Sequence, residues 1–120
     1  MALSVAVLMD PIRAIKIAKD TTFAMLLEAQ RRGHALLYME HGDLAVRDGR
    51  AWARLRPLSV KDDPAGWFSL GEARWQELAE VDVVLLRKDP PVDSQFIYDT
   101  MVLSLAQRAG VTVVNDPQAL

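Results

Sequence analysis

The opening run Leu3-Ser4-Val5-Ala6-Val7-Leu8-Met9 constrains the fold more than any other part of the chain. It is apolar, rich in β-branched residues, and ends abruptly at Asp10-Pro11. A half-exposed strand would alternate apolar and polar residues, whereas a run like this suits a strand buried on both faces of a parallel sheet. It is too short to cross a bilayer, and it lacks the basic start of a signal peptide. Parallel strands must be joined by crossovers, usually helices, so strand–helix–strand units are expected downstream.

Two such units can be read. After a loop from Asp10 to about Lys19, Asp20, Thr21 or Thr22 can cap a helix. Phe23, Leu26 and Leu27 give it an apolar face, Glu28, Arg31 and Arg32 a wet one, and Gly33 a stop. Residues 34–39, His34 to Met39, follow as a second strand. Residues 81–86, Val81 to Leu86, read as a third strand running into Arg87-Lys88-Asp89-Pro90-Pro91. Asp93 or Ser94 then caps a long helix whose apolar side is carried by Ile97, Met101 and Leu105, with Phe96 and Leu103 nearby, and Gly110 ends it. Val111 to Val114 form a fourth strand, broken by Asn115-Asp116-Pro117.

The middle of the chain follows another pattern. Leu44 to Arg47 and Arg50 to Leu55, joined by Asp48-Gly49, read as a hairpin, because Asp-Gly favours a two-residue turn with positive φ. Residues 50–56 alternate only loosely, so this hairpin, about 43–56, is expected to be a small peripheral insertion. Residues 57–71, with their prolines and glycines, read as loop pinned by Trp67, Phe68 and Leu70. Residues 72–79 read as a short helix. The whole is expected to be one α/β domain over 1–120. Its expected core is an open, mainly parallel, four-stranded Rossmann-like sheet with helices on both faces and the hairpin inserted.

Composition narrows the function classes. A formal net charge of −2 over 120 residues gives no field that would call for nucleic acid or an anionic membrane as partner. With no cysteine, disulfides and thiolate chemistry are excluded, and the absence fits a reducing, cytoplasmic setting. His34 and His41 are too few for a metal site without well-spaced carboxylates, and surface or strand-end roles are expected for both. Trp52, Trp67 and Trp75 read as packing residues or an interface patch. The first strand–helix turn contains no glycine, so the dinucleotide fingerprint is missing, and no Gly-rich Lys-Ser/Thr phosphate loop occurs. No nucleophile stands beside a base.

Open α/β sheets bind ligands outside the carboxyl ends of their strands, where the strand order reverses. With core order 2-1-3-4, the tip Met9-Asp10-Pro11 and the elbow Arg87-Lys88-Asp89-Pro90-Pro91 become neighbours. Arg87 can offer a planar fork to a carboxylate, and Lys88 a point charge. Asp10 and Asp89 can take an ammonium or orient Arg87. Chain geometry does not fix which of Arg87 and Lys88 faces inward. A charged run after a strand is usually a solvated turn, and the double proline beside three charges shifts the balance only a little toward a site. Thr21 and Thr22 could aid an anion at the helix start, although capping is their ordinary use.

Several blocks resemble prokaryotic glutathione synthetase. They are Val7 to Ile12, Lys16 to Gly33, Tyr38-Met39-Glu40 with Gly42-Asp43-Leu44, Leu86 to Pro91 with Asp93, Phe96, Ile97, Tyr98 and Thr100, and Asn115 to Gln118. The resemblance covers essentially the whole chain, and it is loosest in the hairpin and over 57–80. It implies a pre-ATP-grasp domain, the amino-terminal wall of the substrate cleft in an ATP-dependent carboxylate–amine ligase. That enzyme joins γ-glutamylcysteine to glycine through an acyl phosphate, using ATP and Mg²⁺ bound by ATP-grasp domains outside these residues. Asp10, the loop near Ile15, and Arg87 would then face γ-glutamylcysteine or glutathione. No catalytic, cofactor-binding or metal-binding residue is expected within these 120 residues, and the full enzyme is expected to self-associate. The end of the chain after a strand and turn reads as a domain boundary. Two other readings stand beside this one. One is a free-standing module for a small anionic ligand, and the other an oligomerising domain that uses its tryptophan-bearing hairpin.

Overall fold

Both faces of the opening strand are buried. In a computed structural model that describes residues 2–87 and 94–114, β1 (Ser4–Met9) turns Val5, Val7 and Met9 to one side and Ala6 and Leu8 to the other. The first set packs on Phe23 and Leu26 of α1 (Thr21–Arg31). The second packs on Val102, Leu103 and Ala106 of α2 (Ser94–Arg108). The continuous apolar run is therefore accounted for by two cores, one on each face of the sheet.

The remaining strands are β2 (Ala35–Met39), β3 (Leu44–Arg47), β4 (Arg50–Val60), β5 (Phe68–Leu70), β6 (Arg74–Glu77), β7 (Val83–Arg87) and β8 (Thr112–Val114). β1 pairs in parallel with β2 and with β7, and β7 in parallel with β8. The core order is thus β2-β1-β7-β8, which is the expected 2-1-3-4 with its reversal at β1/β7. The crossovers β1-α1-β2 and β7-α2-β8 run in opposite directions across the sheet. With right-handed connections this sends α1 and α2 to opposite faces.

Helix α1 starts where the sequence indicates. The Asp20 side chain accepts from the Phe23 amide at 2.7 Å, and Gly33 turns the chain out of the helix at φ +86°. The Asp48-Gly49 turn is also as read, with φ of 53° and 74° between paired Arg47 and Arg50.

The middle third departs from expectation. The α/β class holds, but among the described residues the sheet is mixed and has eight strands rather than four parallel ones. The hairpin is not peripheral. β4 continues through Pro57 to Val60 and pairs antiparallel with β2, joining the main sheet. The stretch 57–71, read as loop, contributes the end of β4 and all of β5, with Trp67 and Phe68 pinned to the core as expected. Residues 72–79 supply strand β6 and part of a single 3-10 turn, Leu78–Glu80, in place of a helix.

The face of α2 also differs. Ile97 and Met101 are 54% and 64% exposed, while Asp99, Val102, Leu103 and Ala106 are buried. A buried aspartate on the inner face explains the misreading, because apolar periodicity does not count it.

Candidate functional site

The cleft is built at the carboxyl ends of β1 and β7. Met9 lies opposite Arg87 in the parallel register, so the last residues of both strands open onto one space. The cavity is about 420 Å³, and Asp10, Ile15, Lys19, Thr22 and Arg87 are among the residues that line it. That volume suits a small molecule. The start of α1 also faces the cavity through Thr21 and Thr22, bringing the positive end of a helix dipole to the same place.

Two side chains clamp the loop after β1. The Tyr38 hydroxyl accepts from the Ile12 amide at 3.0 Å and donates to Glu40 Oε2 at 2.5 Å. The Trp67 indole N–H donates to the Ile12 carbonyl at 2.9 Å. Ile12 itself is 1% exposed. Both backbone polar groups of one buried residue are thus held by side chains from β2 and from the segment before β5. This anchors the 3-10 turn Ile12–Ala14, which Ile15 follows. Burial, with Glu40 as its acceptor, pushes the Tyr38 phenol well above its usual range, so it stays a neutral donor.

Arg87 is oriented by α1. Its Nε donates to Thr22 Oγ1 at 2.9 Å, and Thr22 is itself buried. Thr22 thus does something the sequence reading did not assign, because Asp20 takes the capping role. A threonine at the second position of a helix, beside a strand-end arginine, was the available signal.

Asp10 has a different support. His41, just beyond β2, places Nε2 3.4 Å from Asp10 Oδ1 and Nδ1 2.8 Å from Asp99 Oδ2. His41 and Asp99 were not singled out as a pair. The i, i+3, i+4, i+7 spacing of Asp99, Val102, Leu103 and Ala106 would have placed the aspartate inside.

The structure therefore brings together Asp10, Ile15 and Arg87, and adds Lys19 and Thr22. Lys88 and Asp89 lie outside the described residues. Among the described residues no group of three or more His, Cys, Asp or Glu could hold a metal ion. The described residues that line the cavity include no glycine. No described helix is long and apolar enough to cross a membrane.

Comparison with known proteins gives a consistent picture. Residues 3–120 match the profile of the family described as prokaryotic glutathione synthetase, N-terminal domain. A glutathione synthetase of Xanthomonas axonopodis pv. citri is 62% identical over all 120 residues, one of Xylella fastidiosa (strain Temecula1) 54%, and one of Pseudomonas putida 52%. In each case the whole chain is covered, against 38% of the relative. The chain thus spans well under half the length of these relatives.

Proposed function

The chain belongs to the prokaryotic glutathione synthetase family, and from that premise we propose that it forms the amino-terminal wall of a ligase substrate cleft. The reaction joins the cysteinyl carboxyl of γ-glutamylcysteine to the amine of glycine. ATP is split to ADP and phosphate, and the phosphate carries off the oxygen lost from the carboxyl. The nucleotide and its Mg²⁺ would be held by protein beyond these residues. A cytoplasmic setting accords with a chain that contains no cysteine.

The observation that carries the reading is the pairing of opposite charges across one small cleft. Asp10 stands at one strand tip and Arg87 at the next, with Lys19 and the start of α1 completing the basic side. γ-Glutamylcysteine and glutathione carry both an ammonium and carboxylates, so such a ligand can meet both signs at once. The guanidinium takes a carboxylate and Asp10 takes the ammonium. Thr22 holds Arg87, and Tyr38 and Trp67 hold the loop, so little ordering is left to do on binding.

Titration calorimetry of the chain with glutathione and with γ-glutamylcysteine tests this. Weak binding is expected from a single wall, and Arg87→Ala should weaken it by about tenfold or more. Absence of heat with both ligands on the wild-type chain would refute the reading. Mixed with ATP, Mg²⁺, γ-glutamylcysteine and glycine, the 120-residue chain alone is expected to form no ADP, since phosphoryl transfer depends on metal and positioning that its described residues do not supply.

A further inference from the structure

Behind the cleft, on the α2 side of the sheet, sits a cluster the proposed reaction does not use. Asp99 is fully buried in the middle of α2. One of its carboxyl oxygens accepts from Gln95 Nε2 at 2.9 Å, and the other contacts His41 Nδ1 at 2.8 Å. Only 16% of the His41 side chain is exposed. Its Nε2 is buried and, among the described residues, makes no hydrogen bond, and Asp10 Oδ1 lies 3.4 Å from it. His41 does not line the cavity, whereas Asp10 does.

A buried carboxylate is costly to keep unless it is well partnered, so Asp99 needs the imidazole. The ring is then fixed by Asp99 at one nitrogen, and the other nitrogen has one carboxylate in front of it. One imidazole is thus flanked by two carboxyl groups, Asp99 at Nδ1 and Asp10 at Nε2. We propose that His41 is a positioning residue: anchored by Asp99, it holds the carboxylate of Asp10 in the single orientation that faces the cleft. Asp10 is half-exposed. Without such a restraint it would sample several rotamers, and binding would have to freeze them. This deepens the proposed function, because it assumes that Asp10 meets the ligand.

The test separates the two claims. In the wild-type chain, the χ1-sensitive couplings of Asp10 in NMR should report one rotamer. His41→Asn keeps an amide donor for Asp99 but cannot reach Asp10, so the chain should stay folded while Asp10 becomes rotamer-averaged. Unchanged Asp10 couplings in folded His41→Asn would overturn the proposal. Asp10→Asn, a change at a half-exposed site, should shift the Nε2 resonance of His41 in the ¹⁵N imidazole spectrum. An unmoved resonance would overturn the proposal even if His41→Asn failed to fold. In calorimetry, His41→Asn should weaken glutathione binding about tenfold. Wild-type affinity in that variant would count against positioning. If the wild-type chain releases no heat, the proposed function fails, and the two spectral measurements still decide whether His41 restrains Asp10.

Discussion

The two halves of the sheet use their residues differently. In the parallel half, β2-β1-β7-β8, the central strands are buried on both faces, and polar groups come forward at the strand tips. In the antiparallel half, β3 to β6, residues alternate between core and water along β4. The cleft with Asp10 and Arg87 lies at the tips of the parallel half. Where a strand's length is committed to two cores, its end is the place left for chemistry. Where one face stays wet, charged residues are spread along the strand and do not converge.

Paired substitutions test that contrast most strongly. In β1, Leu8→Ala and Met9→Ala alter neighbours on opposite faces, both buried. Each is expected to cost about 2–5 kcal/mol in urea unfolding. In β4, Leu55→Ala should cost a similar amount, but its neighbour Arg54→Ala only about 0.5 kcal/mol or less. The Arg54 side chain is 42% exposed, with Asp43 at 3.9 Å. Equal losses at Leu55 and Arg54 would erase the distinction between the halves.

A smaller effect is expected at the seam, where Tyr38 of β2 lies opposite Arg56 of β4. Its phenol is raised in the folded chain, first by burial and then by Glu40. The neutral form therefore favours the fold. That contribution is fully present below the unfolded value of about 10 and fades as pH rises beyond it. Unfolding at pH 8 and pH 10.5 should show a steeper loss for wild type than for Tyr38→Phe. Parallel losses would mean that the seam tolerates a charged phenol.

The smallest effect belongs to the solvent side of α1. Hydrogen bonds from Arg31, then Arg32, draw Glu28 down to about 2. Its contribution is present above the usual carboxylate value and is lost as pH falls toward 2. Exposed pairs like these contribute little and are screened by salt. Glu28→Gln should lower the melting temperature slightly at pH 7, and the difference should disappear at pH 2 or in molar salt. A loss that survives both would show that Glu28 does more than pair with its neighbours on the helix.

The parallel half was legible because its signals are local. An unbroken apolar run, a capping Asp20 and a stopping Gly33 each act within a few residues. The approach of Asp10 to Arg87 also followed once the strand order was right. The antiparallel half was misread for a geometric reason. Ala51, Ala53 and Leu55 enter the core on the α2 side, whereas Leu58 and Val60 enter the one on the α1 side. The buried positions thus shift from odd to even numbers with no bulge, and the pattern looks broken when it has only changed cores. The spacing of α2 could place Asp99 inside, but not its partner, for a related reason. The value of Asp99 comes from His41, 58 positions away in sequence, and no local pattern shows a partner at that distance.

That change of cores makes β4 a keyed shaft running through two locks. Its first part engages β3 and β6, and its second part engages β2 and β5. A slide of one residue would turn the wrong face inward at both ends at once. Insertions within the strand therefore have nowhere to be absorbed. Variation in chain length should be accommodated at the Asp48-Gly49 tip or in the stretch 61–67, where an added residue leaves both locks engaged.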